Sequence, residues 1–398
     1  MKKIVILLII IGVIVVVSFS MASNAKRTEQ IVIKQILTPE YTKVNIQGDE
    51  LRQLAGEIVI SSGDLSLAYA NGIGWMAYSG AENDETFKKG YVSNHIAKTE
   101  DNGETWQYVQ LINLSFEEVL RPTNKALIDF RGEILEGSWF HEVPTLVHTP
   151  DDPGKEWKLF WHKYFMLHGK GETGRVLMYS WIAYKYASSP DGAWSDEIPL
   201  FGAGLSPVKP YSAKINLNAL HPDLRRNVAY TEPGSLYWDG VLYLSLQAIK
   251  MVRKGVTETD IILIASGDLG KTWRYVGTLL KHDLIKQFNL RAFTATELAQ
   301  QEGKPYFLIS MEKPVENWAV DQHHFGTLVF EFEDIKRGKL KKENGKLIAN
   351  KWLKTDTTAG QADYEEEIKG GIYTHKFNFK DFPGGKIVTI RKTNVDLQ

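Results

Sequence analysis

One octapeptide occurs twice in this chain, as Thr99-Glu100-Asp101-Asn102-Gly103-Glu104-Thr105-Trp106 and as Ser266-Gly267-Asp268-Leu269-Gly270-Lys271-Thr272-Trp273. A shorter, degenerate copy runs Ser188-Ser189-Pro190-Asp191-Gly192-Ala193-Trp194. The chemistry of each is that of a tight hairpin turn. The Asp carboxylate accepts hydrogen bonds from turn amides, Gly supplies positive φ, and Trp packs between adjacent sheets. Turns that recur in this way call for a fold assembled from repeated antiparallel units.

A second element lies upstream of each full copy. Asp64-Leu65-Ser66-Leu67-Ala68-Tyr69 leads to Trp75-Met76-Ala77-Tyr78, and Glu232-Pro233-Gly234-Ser235-Leu236-Tyr237 leads to Tyr243-Leu244-Ser245-Leu246. Asp64 precedes Asp101 by 37 residues and Glu232 precedes Asp268 by 36. Related segments are Glu142-Val143-Pro144-Thr145-Leu146, Thr296-Glu297-Leu298 and, without the acid, Gly371-Ile372-Tyr373-Thr374-His375. The anchors 64, 142, 232, 297 and 375 are separated by 78, 90, 65 and 78 residues, which suits four-stranded blades with long loops.

Short β-type runs such as Lys158–Trp161, Leu242–Leu246 and Tyr306–Ser310 are bounded by Gly, Asp, Asn or Pro. Helical candidates are few, over 115–128 and 280–290. The expected fold is an all-β propeller from about residue 30 to the C-terminus, five-bladed, with six blades as the alternative. Too little chain follows residue 370 for a full blade. The alternating segment Gln30–Leu37 is therefore expected to complete the fifth blade and close the ring, which removes an exposed edge.

Composition narrows the chemistry. With 47 Lys+Arg against 48 Asp+Glu the chain is near neutral, which excludes a nucleic-acid binder relying on phosphate attraction. The absence of cysteine excludes disulfides, thiol catalysis and Cys-ligated zinc. No phosphate loop and no His-Glu-x-x-His motif is present. Met1-Lys2-Lys3, the apolar run Ile4–Phe19 and the small residues Ser20-Met21-Ala22 read as an export signal over 1–22, with an uncleaved membrane anchor as the alternative. The rest, 23–398, is expected to be a single propeller domain outside the cytoplasm: secreted, periplasmic or at the cell surface, by bacterial-type export. A membrane is a partner only if the N-terminal segment is retained.

The octapeptide resembles the Asp-box, or BNR repeat, of sialidases and related β-propeller proteins. In that family the box is a structural turn. The resemblance therefore assigns Asp101, Gly103, Trp106, Asp191, Asp268, Gly270 and Trp273 to structure and not to catalysis.

In a propeller the first strand of each blade lines the central channel, so Asp64, Glu142, Glu232 and Glu297 are expected to converge at one mouth. Clustered carboxylates split their pKa values, as acid/base glycoside hydrolysis requires. The pattern is similar to five-bladed glycosidases of the family 43 and family 32 type. That similarity implies a carbohydrate substrate, Glu232 as general acid, Asp64 as base and Glu142 in the slot of a tuning or orienting residue, where the family has Asp. It also implies no cofactor, with a channel calcium ion near His375 allowed for, and leans to inversion. A sialidase reading would instead use Arg291 and Arg391 as carboxylate ligands and Tyr373 as nucleophile, although the usual Arg-Ile-Pro segment is absent. A third reading is a non-catalytic glycan- or protein-binding platform, with Trp75, Trp139, Trp161 and Trp238 as stacking surfaces.

Overall fold

The computed structural model describes residues 29–48, 58–84, 89–121, 134–170, 174–203, 213–253, 256–314, 324–354, 358–378 and 387–398. The segment 1–22, expected to be an export signal, lies outside the described residues. The described strands fall into five sheets, and the fold is an all-β propeller. Blade one comprises Ile58–Ala70, Ile73–Asp84, Lys89–Thr99 and Trp106–Asn113. Blade two comprises Leu135–His148, Trp157–Leu167, Arg175–Ala187 and Ile198–Gly202. Blade three comprises Asn227–Trp238, Val241–Arg253, Val256–Ser266 and Arg274–Leu280. Blade four comprises Ala292–Gln301, Lys304–Glu312, His324–Asp334 and Lys346–Lys354. Blade five comprises Thr358–Asp363, Tyr373–Asn378 and Ile387–Lys392.

The first strands touch one another in the cyclic order one, two, three, four, five, one. A blade is covered on both faces by its neighbours, so its middle strands are buried on both faces rather than on alternate residues. Trp157–Leu167 is buried at every position but its last. Apolar clusters fill the seams between neighbouring blades. Trp75, Trp139 and Trp161 belong to the seam of blades one and two, at 3%, 0% and 0% exposure. They are core residues, not sugar platforms.

The ring closes differently from expectation. Ile31–Leu37 runs parallel to Lys346–Lys354 in blade four, not in blade five. The reason is apolar: Ile31 and Ile33 enter the seam of blades three and four beside Leu347. The chain then gives Thr42–Lys43 to the outer edge of blade five and Ile46–Gln47 to that of blade one. One N-terminal segment thus stitches three consecutive blades.

Two further corrections concern local structure. Phe116–Leu120, within the 115–128 helix candidate, is a strand paired with Leu135–Trp139. The fifth anchor was misplaced: blade five starts at Thr358–Asp363, and Tyr373–Asn378 is its second strand. Over 280–290 a short 3₁₀ helix, His282–Phe288, is present.

The two octapeptides close alike. In the first, Thr105 N–H and Oγ1 donate to Asp101 at 2.8 and 2.6 Å, and Gly103 N–H donates to Thr99 Oγ1 at 2.8 Å. In the second, Thr272 N–H and Oγ1 donate to Asp268 at 2.8 and 2.7 Å, and Gly270 N–H donates to Ser266 Oγ at 2.7 Å. These donors, the Thr side chains foremost, hold both carboxylates down at about 2. Each Trp packs on the preceding blade: Trp106 on Tyr373 of blade five, Trp273 on Phe160 and Phe201 of blade two. The degenerate copy keeps a Ser189–Asp191 hydrogen bond but has no Thr to complete the set.

Candidate active site

Each first strand carries an irregularity at the same height, and that of blade three has a second one between Asn227 and Ala229. At the shared height the ladder with the second strand skips, leaving a bulge between Gly63 and Leu65, Glu142 and Thr145, Thr231 and Gly234, Thr294 and Thr296, and Ala359 and Asp363. The bulges hold left-handed backbone at Asp64 (φ 39°), Val143 (52°), Glu232 (55°), Ala295 (49°) and Gly360 (67°). A bulge re-aims a side chain out of the ladder, at about 1–2 kcal/mol of backbone strain for a residue with a Cβ.

Asp64 and Glu232 therefore occupy equivalent positions. Glu142 does not: Val143 sits in the bulge, and Glu142 is the last paired residue before it. Glu297 comes two residues after the bulge residue Ala295.

The local sequence of blade three explains its bulge. Glu232 takes the left-handed conformation, and Pro233 needs no ladder donor. Gly234 admits the backbone of blade four, since a Cβ there would lie 2.4 Å from Glu297 Cα. Thr296 Oγ1 fixes the turn by donating to Glu232 O at 2.8 Å.

At the axis Glu232 is 7% exposed. Burial pushes its carboxyl well up, and the charges of Glu142, Asp64 and Glu312 add to that, with Arg175 opposing. Burial also raises Asp64, to about 6, against hydrogen bonding from Gln361 N–H (3.2 Å to Oδ1) and the charge of Arg175. Glu142 accepts from Tyr164 Oη at 2.7 Å and from Arg175 Nη2 at 3.4 Å. The Arg175 guanidinium lies 4.3 Å over the Tyr164 ring. Asp64, Glu142 and Glu232 thus form one electrostatic group, with the Arg175 guanidinium opposing the proton uptake of both Asp64 and Glu232.

Below them the channel is sealed by a polar network. Glu297 accepts from Ser235 N–H (2.7 Å), Leu298 N–H (3.0 Å), Thr145 Oγ1 (3.1 Å) and Gln361 Nε2 (2.6 Å). Asp363 accepts from Leu67 N–H and Tyr364 N–H at 2.6 and 2.7 Å. Burial raises both, Asp363 to about 8. Glu297 is fully buried and ties blades two, three and five to blade four, which is a structural place rather than a substrate-facing one. Asp64 and Glu142 side chains are 17% and 24% exposed, so the accessible end is the one the acids face.

Other sequence candidates fall elsewhere. Tyr373 is buried in the seam with Trp106, its hydroxyl donating to Lys369 O at 2.8 Å, and does not reach the acids. Arg291 pairs with Glu312 at 3.4 Å. Arg391 lies on the third strand of blade five, donating to Thr389 Oγ1. Trp238 ends its strand beside the Asp239-Gly240 turn, with Lys336 Nζ 5.7 Å over its ring, at the end remote from the acids. His375 reaches the axis from a second strand and accepts the N–H of Asp64 through Nδ1 at 2.9 Å. That lone pair is thereby engaged, and among the described residues no group of three or more His, Asp or Glu has metal-site geometry.

Sequence reasoning missed Arg175, Tyr164 and Glu312. A cavity of about 260 Å³ lies away from these acids, at the rim of blade two, lined by Glu117, Glu118, Val119, Glu136, Gly137 and His168.

No protein-family model and no curated protein matches the chain. Among solved structures it is similar to a family 117 glycoside hydrolase of the marine bacterium Zobellia galactanivorans, at 14% identity and TM-score 0.45, covering 90% of each chain. It is similar to a family 32 glycoside hydrolase from Bifidobacterium adolescentis at 11% identity and TM-score 0.49, covering 83% of this chain and 55% of that one. It is also similar to an exo-1,5-α-L-arabinanase from a bovine ruminal metagenomic library, at 14% identity and TM-score 0.42, over 84% and 94% of the two chains.

Proposed function

We propose that the protein is an exported glycoside hydrolase acting at the axis of its propeller. One observation carries this reading. Asp64 and Glu232 fill the same bulge position in blades one and three, and burial, helped by the carboxylates around it, raises the proton affinity of Glu232. Protonated Glu232 donates to the glycosidic oxygen as the bond to the anomeric carbon breaks. Ionised Asp64 takes a proton from water, and that water's oxygen bonds to the anomeric carbon, with inversion. Glu142, held by Tyr164 and Arg175, tunes Glu232 through its charge.

The test is turnover of a panel of aryl glycosides that includes an arabinofuranoside and a sialoside, with the anomer of the first product read by NMR. Turnover of a neutral glycoside with inverted product supports the reading. Turnover of the sialoside alone replaces it with a sialidase. A second reading, a non-catalytic glycan-binding platform, draws on the rim cavity lying away from the acids. Binding of glycans without turnover of any member of the panel would select it.

A further inference from the structure

The extra residue of a bulge has no ladder partner for its N–H. Here three of the five bulge N–H groups are taken by a side chain of the preceding blade. Ser79 Oγ of blade one accepts from Val143 at 3.1 Å, His324 Nδ1 of blade four from Gly360 at 3.3 Å, and His375 Nδ1 of blade five from Asp64 at 2.9 Å. The last differs from the others in one respect: the residue it holds carries an acid.

Space around this contact is reserved. A Cβ on Gly360 would lie 2.1 Å from His375 Cε1 and 2.4 Å from Asp64 Oδ1. A Cβ on Gly63 would lie 3.0 Å from His375 Nδ1. Blade five thus places glycine where blades one and three place acids, and the imidazole of its second strand occupies the room. His375 is 3% exposed, and burial holds it down at about 3, so it stays neutral with Nδ1 as an acceptor.

We infer that His375 is a positioning residue for Asp64: its unprotonated Nδ1 fixes the left-handed backbone that turns the carboxylate to the axis, in space that Gly360 leaves open. This rests on the reading of Asp64 as the base. His375 acts through Asp64 and need not touch the sugar.

The test uses the full chain and the aryl glycoside that the wild type turns over fastest. His375→Leu removes the acceptor; His375→Asn returns an amide oxygen to the place of Nδ1. The Leu variant should lose about a hundredfold in kcat, the scale of a roughly 1 Å misplacement, with KM within about twofold. The Asn variant should recover most of that loss. Wild-type kcat in His375→Leu, beside an inactive Asp64→Asn, overturns the positioning role alone. An active Asp64→Asn removes the base assignment and this inference with it. If His375→Leu does not fold, the imidazole ¹⁵N spectrum of the wild type decides. An Nδ1 without a proton between pH 5 and 8 is expected, and a protonated Nδ1 overturns the inference.

Discussion

The octapeptide turns and the axis bulges both repeat around the ring, but they repeat different things. The two full turns share side chains and hydrogen bonds almost atom for atom, and each sets a Trp on the preceding blade. The bulges share only backbone: their left-handed residues are Asp, Val, Glu, Ala and Gly. The acids of the two regions are also opposed in proton affinity. Asp101 and Asp268 are held down by donors, whereas Asp64, Glu232, Glu297 and Asp363 are pushed up by burial. Repetition of side chains marks an element that does the same structural job in each blade. Repetition of backbone with unlike side chains marks a frame on which each blade presents a different group.

The sharpest way to break this contrast is at Glu232. Glu232→Gln keeps the bulge and the volume but removes the proton. Turnover should fall by about 10²- to 10⁴-fold with little change in thermal midpoint. Activity within a few-fold of the parent would show that the axis acids are blade anchors like the turn acids.

Trp106→Ala tests the other region. Trp106 is 1% exposed in the seam of blades five and one. Its truncation should cost about 3–5 kcal/mol of stability, while turnover per folded molecule holds. Denaturant unfolding and an assay at matched folded concentration separate the two. A large loss of kcat without loss of stability would erase the division.

How much of this was legible in the sequence follows from the same contrast. The turns are local: their hydrogen bonds are made within eight residues, so residue types alone reveal them. Pro233-Gly234 was legible for a similar reason, since Pro needs no ladder donor and Gly admits the neighbouring backbone. The rest depends on distant chain. Matching acids by type put Glu142 and Glu297 in register with Asp64. The structure gives those bulge positions to Val143 and Ala295, residues with no preference for positive φ. Thr358–Asp363 carries no aromatic or branched aliphatic side chain, so nothing marked it as the first strand of blade five. Arg175 reaches Glu142 from two strands away in the same blade. The edge that Ile31–Leu37 joins was set by which seam could bury Ile31 and Ile33.

The opposed proton affinities predict opposed pH signatures. Asp363 is raised from an ordinary 3.8 to about 8. Its stabilising effect is complete below about 4, where both states are protonated. It is lost as pH rises through 8, because the unfolded chain releases the proton first. Stability should therefore decline between about pH 4 and 8, and Asp363→Asn should flatten that slope. A slope unchanged in the variant would reject the assignment. On the proposed mechanism, with Asp64 raised to about 6, activity should rise as pH passes about 6 and fall again once Glu232 ionises, as a pH profile of kcat/KM would show.

The smallest effect is expected at Asp268, where the contrast is most finely tested. Its carboxylate accepts from Thr272 N–H and Ser266 Oγ through Oδ1, at 2.8 and 2.7 Å, and from Thr272 Oγ1 through Oδ2. Asp268→Asn keeps an oxygen for the first two and replaces the third acceptor with an amide nitrogen. The exposed Thr272 hydroxyl can then turn to water, so the loss is one solvent-screened contact, no more than about 1 kcal/mol. The pH sign is opposite to that of Asp363. A carboxylate held at about 2 contributes stability that is present above an ordinary 3.8 and lost as pH falls through 2. Asp268→Asn should therefore weaken the protein near neutrality by that small amount and remove part of its acid-side decline. Turnover should stay within about twofold of the parent, because the turn lies at the end of the blade remote from Glu232. Urea unfolding at pH 3 and pH 7, with an assay of the same samples, measures all three. A drop in kcat comparable to that of Glu232→Gln would mean that the turns, although alike in their Asp-centred hydrogen bonds, are coupled to the axis after all.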